Sequence, residues 1–250
     1  MKKIGLIGGM TWATTEGYYR IINECVQQRL GGLHSARIVV SSLDFAELEQ
    51  QQRLGDWNRV ADIVCAAAAD LERAQVDMVL ICSNTMHKVA DAVAQRICPP
   101  LLHVAEATAR SVRAAGIDTV GLLGTRYTMC QDFYTGILES HGIRVVLPNS
   151  SDIGAVNSVI VNELYDGTAS PTSREDFLRI ISGLGDKGAQ AVVTASAQVA
   201  LLMDVSGSRL PVFDTARIHA EAAVDLALSG MEQTGGQPGT HRMRLRRTTP

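Results

Sequence analysis

The sequence predicts an α/β fold of two pseudo-symmetric domains, each a parallel sheet covered by helices, with the active site in the cleft between them. Three observations predict it. The chain carries the same half twice: Lys3-Ile4-Gly5-Leu6-Ile7-Gly8-Gly9 recurs as Thr119-Val120-Gly121-Leu122-Leu123-Gly124-Thr125, and Val76-Asp77-Met78-Val79-Leu80-Ile81-Cys82 recurs, at nearly the same offset, as Gln190-Ala191-Val192-Val193-Thr194-Ala195-Ser196. Short apolar runs alternate with segments of helical period, the pattern of strand–helix units that build a parallel sheet. A length of 250 residues suffices for two such units of about 100–120 residues each.

The elements follow in order. Ile4 to Ile7 reads as a buried strand ended by Gly8-Gly9. Thr14 or Thr15 is the candidate cap of a helix that runs to about Arg29 and stops at Gly31-Gly32. Arg37 to Ser42 is a second strand and Glu47 to Arg53 a helix. From Asp56 a long helix sets Val60, Ile63, Val64, Ala67 and Leu71 on one face. Met78 to Ile81 is a strand, a helix begins near Thr85, and Leu101 to Val104 is a short strand before another helix. The second half repeats the order: strand Val120 to Leu123, helix Thr128 to about Ser140, strand Val145 to Leu147, and helices near Ala155 to Tyr165 and Arg174 to Leu184. Strand Ala191 to Val193, a short helix from Gln198, strand Pro211 to Phe213 and a last helix Ala216 to Leu228 complete it. The last helix is expected to fold back onto the first half. The domains are then residues 1–115 plus 212–230 and residues 116–211. Residues 231–250, with linker composition and four arginines, read as a disordered tail.

Composition excludes several classes. A net charge of −3 and 4% aromatic residues give no field and few stacking platforms for nucleic acid. The first residues do not read as a secretory signal, and the longest apolar run, which contains Cys65 to Ala69, is far short of a membrane span. The expected location is the cytoplasm. Five cysteines without a CxxC pair argue against a disulfide framework and a zinc site. Cys25 and Cys65 read as apolar fillers of helices, and Cys98 and Cys130 lack a reactive context.

In open parallel sheets, ligands bind beyond the carboxyl ends of the strands. That rule selects Gly8 to Thr11, Cys82 to Thr85, Gly124 to Thr128 and Ala195 to Gln198. Cys82 ends a strand just before a helix, where the helix dipole can lower a thiol's pKa; the alternative is an inert cysteine at a strand end. The N–H groups there, with the Asn84 and Thr85 side chains, suit a carboxylate. Gly8-Gly9 matches neither a Walker loop nor GxGxxG and reads equally as a tight turn. Tyr127 and Thr128 are candidates to line the cleft, with Thr128 equally a helix cap. His87 is expected to point away from the thiol, and His219, near the start of the last helix, could reach the cleft, although a structural role is the commoner one. Arg53 could pair with a substrate carboxylate, although a solvated arginine is the commoner fate.

At these residues the chain resembles the aspartate/glutamate racemase family, in particular its broad-specificity bacterial amino-acid racemase branch. The matching segments are Ile4 to Trp12, Arg29 to Ala36, Cys82-Ser83-Asn84-Thr85-Met86-His87, Leu123 to Met129 and Phe213 to Ala220, in order along residues 1 to about 230. The resemblance implies a homodimer, a small carboxylate or amino-acid substrate, and no cofactor, pyridoxal phosphate and metal included. The presence of only four lysines is consistent with that. It also implies that Met10, Ser83, Asn84, Thr85, Thr125, Thr128, Gln198 and, less directly, Arg53 bind substrate. Family members remove the α-proton with one cysteine thiolate and return a proton to the other face from a second cysteine. The first matches Cys82. The second falls at Ser196, in Ala195-Ser196-Ala197-Gln198, where the family has a Gly-Cys-Thr-Glu-like segment.

That departure matters because an alcohol is a far weaker acid than a thiol, whose ordinary pKa is about 8.5. Ser196 needs a base of its own, and the carboxylate position beside it holds the neutral Gln198. Three readings follow. The first is a racemase or epimerase with Cys82 on one face and Ser196 or a water on the other. The second is a decarboxylase with a single cysteine, which Ala195, Ala197, Val199 and Ala200 favour, although decarboxylating relatives keep the cysteine of the other half. The third is a binding or partner subunit without turnover. The first is the expectation.

Overall fold

The computed structural model describes residues 1–197, 199 and 208–230. Gln198, most of the helix expected after it, and the expected tail at 231–250 lie outside the described residues. Two four-stranded parallel sheets form. Strands β1 (Ile4–Gly8), β2 (Ile38–Ser42), β3 (Met78–Ile81) and β4 (Leu101–Leu102) lie in the order β2-β1-β3-β4; β5 (Thr119–Gly124), β6 (Arg144–Val146), β7 (Ala191–Ala195) and β8 (Val212–Asp214) lie in the order β6-β5-β7-β8. The same order twice is the sequence repeat in three dimensions. The copies differ slightly in register: Gly5 faces Val79 in the first, Gly121 faces Val192 in the second. β1, β3, β5 and β7 are buried along their whole length, as central strands covered on both faces must be.

Several helices start where the sequence places them. Asp44 caps α2 (Phe45–Leu54) and Asp56 caps α3 (Trp57–Arg73), each accepting a backbone N–H. Others differ. α1 (Trp12–Leu30) begins after Thr11, not at Thr14 or Thr15. Thr15 is turned inward instead: its hydroxyl accepts from Gly9 N at 2.8 Å and donates to Thr11 O at 3.2 Å, so it braces the β1–α1 turn. The helix expected from Thr85 is a five-residue 3-10 turn, Thr85–Val89, leading into α4 (Ala90–Ala94). The helix expected from Thr128 to Ser140 is broken at Gln131, which is extended, into α6 (Arg126–Cys130) and α7 (Asp132–Ser140). α8 (Ser150–Asn162) and α9 (Pro171–Asp186, capped by Ser170) follow.

Two elements near the expected boundaries, 115/116 and 211/212, pack across the halves. α5 (Val104–Ala114) places Val104, Ala105, Ala109 and Val112 in the core of the second sheet, with Val120 and Leu122. β8 pairs with β7 in the second sheet. The last helix, α10 (Thr215–Leu228), returns to the first core and packs Ala216, Ala220 and Val224 with Ile4, Leu6 and Leu80. Each half thus lends its last helix to the other's core. α5 and α10 also pack on each other. Among the described residues no helix is long and apolar enough to cross a membrane.

Candidate active site

The carboxyl ends of the central strands converge on one cavity of about 360 Å³, counting the part open to solvent. From the first domain Met10, Thr14, Tyr18, Cys82, Ser83, Asn84 and Thr85 line it; from the second, Thr125, Tyr165, Ala195, Ser196 and Ala197. Ala216, at the start of α10, completes the wall. Cys82 directly follows β3 and Ser196 directly follows β7, so the repeat brings the thiol and the alcohol to one cavity.

Of the two environments open to Cys82, the buried one is found. Its side chain is fully buried among Leu80, Tyr18 and Ala216, and burial pushes the thiol well above its ordinary pKa. The following element is a 3-10 turn of five residues, with too few aligned peptides to make a strong dipole. Cys82 is therefore a protonated thiol near neutral pH.

Hydroxyls bridge the two domains beside it. Thr85 Oγ1 and Thr125 Oγ1 are 2.9 Å apart, and Thr125 Oγ1 and Thr128 Oγ1 are 3.1 Å apart. Thr128 stands behind Thr125 rather than on the wall. The Asn84 amide is oriented by a chain of two bonds: Thr215 Oγ1 donates to Thr194 O at 2.9 Å, and Asn84 Nδ2 donates to Thr215 Oγ1 at 3.0 Å. This turns Oδ1, not Nδ2, away from Thr215. The amide nitrogen keeps a second proton beyond the one given to Thr215.

Other residues singled out by sequence lie elsewhere. Arg53 is exposed on α2, paired with Glu49 four residues earlier, and does not line the cavity. Tyr127 packs edge-on against Trp57 and donates to Gln52 O at 3.3 Å. His87 accepts from Val104 N through Nε2 and donates to Ser83 O through Nδ1, away from the cavity. His219 donates through Nε2 to Leu102 O at 2.9 Å, so its Nδ1 accepts from Tyr18 Oη at 3.0 Å. Burial lowers His219 to about 4. Among the described residues no cluster of side chains is arranged to hold a metal ion.

The profile of the Asp/Glu/hydantoin racemase family matches residues 7–223. The chain belongs to the Asp/Glu/hydantoin racemase family. Its solved structural neighbours include a Yersinia pestis protein described as a candidate Asp/Glu racemase (48% identity, TM-score 0.86), which covers 91% of this chain and 100% of that one. An aspartate racemase homologue from Pyrococcus horikoshii OT3 is 31% identical, with a TM-score of 0.79 over 91% of this chain and 99% of that one. The broad specificity amino-acid racemase RacX of Bacillus subtilis (strain 168) is 22% identical over 177 residues, 70% of this chain and 75% of the relative. Membership in the racemase family supports a racemase-type function and matches the two-domain α/β fold.

Within this racemase-family cavity, sequence reasoning missed Thr14, Tyr18, Tyr165 and Ala216. Tyr18 follows the β1 loop along α1, so the rule of strand ends could have reached it. Tyr165 could not be found that way. It arrives from the short 3-10 turn Leu164–Asp166, far from any strand end, and packs against Phe45 of the first domain at 5.3 Å between ring centroids.

Proposed function

We propose that the protein is a cofactor-independent amino-acid racemase or epimerase that moves a proton at the carbon next to a carboxylate. The observation that carries this reading is the shared cavity of Cys82 and Ser196 at the ends of β3 and β7. The Thr85–Thr125 hydroxyl pair holds the carboxylate, and Cys82 gives its proton to the α-carbon on one face. On the reverse step the same sulfur, as thiolate, takes it back. Ser196 serves the other face as a relay: its oxygen takes the α-proton as its own hydroxyl proton passes to a water in the cavity, and in the reverse direction that water returns a proton through it. None of the four lysines lines the cavity. Lys2, Lys3 and Lys187 are hydrogen-bonded to Ser229 Oγ, Ala74 O and Leu147 O, and Lys88 lies over the Trp57 ring. That supports chemistry without a Schiff base. The test is exchange of the α-proton for deuterium in heavy water. Exchange with both enantiomers of an amino acid, lost in Cys82→Ala, is expected; exchange with neither across a broad panel overturns the reading.

One observation favours a second reading. A thiol held protonated beside Ala195 and Ala197 is suited to quench the carbanion left by loss of carbon dioxide. Release of carbon dioxide from a substituted malonate identifies a decarboxylase; retention of both carboxylates rules it out.

We further propose a homodimer through the face of α1 that presents Trp12, 75% exposed, and Tyr19, two turns on, close to the exposed Leu33. Sedimentation should show a dimer that Trp12→Glu converts to monomer; an unchanged dimer in that variant rejects this face.

A further inference from the structure

The proposed reaction passes through a thiolate at Cys82, and that anion needs a donor. The sulfur is fully buried. Burial alone sets its thiol high, and among the described residues no side chain donates a hydrogen bond to it. A buried anion without a donor is costly, so the site works only if a proton on a neighbouring group turns to the sulfur when its own proton leaves.

Tyr18 is placed to supply it. It stands on the cavity wall with Cys82 and packs with it in one buried cluster, beside Ile22, Leu80 and Ala216. The two groups act on each other. After burial, the nearness of Cys82 is the largest cause that holds the Tyr18 phenol far above its ordinary range, followed by Asp214 at the end of β8 and Tyr134 on α7. Tyr18 therefore keeps its proton and remains a donor. In the resting state that proton is held on the side of α10. Leu102 O only accepts, so the Nε2 atom of His219, 2.9 Å away, carries the ring proton; His219 Nδ1 is then bare and takes the Tyr18 hydroxyl proton at 3.0 Å. Burial lowers His219 to about 4, which keeps the ring an acceptor at neutral pH. A phenol has one hydroxyl proton, which turns about the C–O bond and serves one acceptor at a time. The bond to His219 joins two neutral groups, whereas a bond to a thiolate is charge-assisted and roughly twice as strong.

We propose that Tyr18 and His219 form a hydrogen-bond switch for Cys82: the Tyr18 hydroxyl proton rests on His219 Nδ1 while the sulfur is protonated, and turns to the sulfur when the sulfur's proton passes to substrate. The inference deepens the proposed proton transfer and rests on that reading. No proton changes owner in the switch. The hydrogen bond to Nδ1 breaks, one to the sulfur forms, and the reverse turn accompanies return of the proton to the thiol. Tyr18 and His219 act through Cys82 and are positioning residues. His219 sets the balance by competing for the same proton, so the two residues oppose each other: loss of Tyr18 removes the donor, and loss of His219 releases it.

The test reads the thiol without turnover. The full chain and its variants are treated with iodoacetamide from pH 7 to pH 10, and alkylation of Cys82 is followed on its peptide by mass spectrometry, since the thiolate is the reacting form. Cys82 should be alkylated at least fivefold more slowly in Tyr18→Phe and at least fivefold faster in His219→Leu. The double variant should lose that acceleration, because no hydroxyl is left to release. Cys25, buried in the same cluster, gauges loosening of the packing and should react at the parent rate in all of them. A pair that only holds α1 to α10 gives the opposite pattern: both single variants faster, Cys25 with them. An unchanged or faster rate in Tyr18→Phe, a double variant as fast as His219→Leu, or a Cys82 that stays unlabelled in parent and His219→Leu alike overturns the proposal. If His219→Leu does not fold, Tyr18→Phe against the parent decides. In a parent that exchanges the α-proton, Tyr18→Phe should lower kcat about tenfold with KM within twofold, and an unchanged kcat also overturns it. The predicted alkylation pattern in a parent that exchanges no α-proton leaves the switch standing and removes the proposed racemase activity.

Discussion

Cys82 and Ser196 occupy corresponding places in the two halves and differ by one atom, sulfur for oxygen. Proton transfer by a well-placed group contributes about a hundredfold or more, so Ser196→Cys should raise the racemisation rate at least tenfold. Racemisation followed by chiral chromatography checks this; a variant no faster than the parent shows that Ser196 is not the opposite-face group. Both positions were legible in the sequence because the repeat aligned them. The electrostatic state of Cys82 was not, since burial depends on Tyr18 and Ala216 arriving from distant segments. The same holds for the histidines. His87 and His103 are lowered by burial and His219 is lowered from the ordinary 6.5 to about 4, so all three are neutral in the native state. As pH falls, the unfolded chain takes up those protons first. The stability the neutral rings confer is therefore present above pH 6.5 and is lost as pH falls toward 4. The slope is up to about 1.4 kcal/mol per pH unit for each ring. Urea midpoints at pH 7 and pH 5 should differ accordingly, and His219→Gln should flatten the trend; equal midpoints contradict it.

At the scale of elements, the β1–α1 turn positions Met10 and Thr14 on the cavity wall, and its shape depends on Gly9. Gly9 has φ of 90°, and a Cβ there would lie 2.0 Å from Leu43 O. Both the left-handed backbone and the contact with another backbone segment oppose any side chain. Gly9→Ala should cost about 2 kcal/mol or more in urea unfolding and impair ligand binding at the same time; a loss below 0.5 kcal/mol shows that the turn tolerates a side chain. The start of α3 at Asp56 was readable because an acidic residue directly before an apolar period has a local cause, whereas the sequence marked α2 only from Glu47, three residues past its cap at Asp44. Thr14 and Thr15 carried the same local signal and misled, since tertiary contacts with Gly9 and the cavity drew them inward. The break at Gln131 gave no sign in the sequence: neither Gly nor Pro marks it.

At the scale of the molecule, the two domains also meet through aromatic contacts away from the cavity wall. Lys88 Nζ lies 4.1 Å from the Trp57 ring centroid and 5.6 Å from that of Tyr127, and the two rings meet edge-on at 5.1 Å. Trp57 and Lys88 belong to the first domain and Tyr127 to the second. A double-mutant cycle of Trp57→Ala with Tyr127→Ala should give a coupling of about 0.5–1.5 kcal/mol in urea unfolding; strict additivity denies the clasp. The two-domain plan and the alternation of strands with helices were written in the repeat, whereas the crossing of α5 and α10 was half visible: the return of the last helix was expected, but the outward loan of α5 shows only in which core receives Val104 and Val112. That loan has a further consequence. A gene cut after residue 115 yields two polypeptides, each carrying a helix that packs in the other's core and each missing one helix of its own. The duplicated halves are therefore expected to depend on each other for folding, as two independent copies would not.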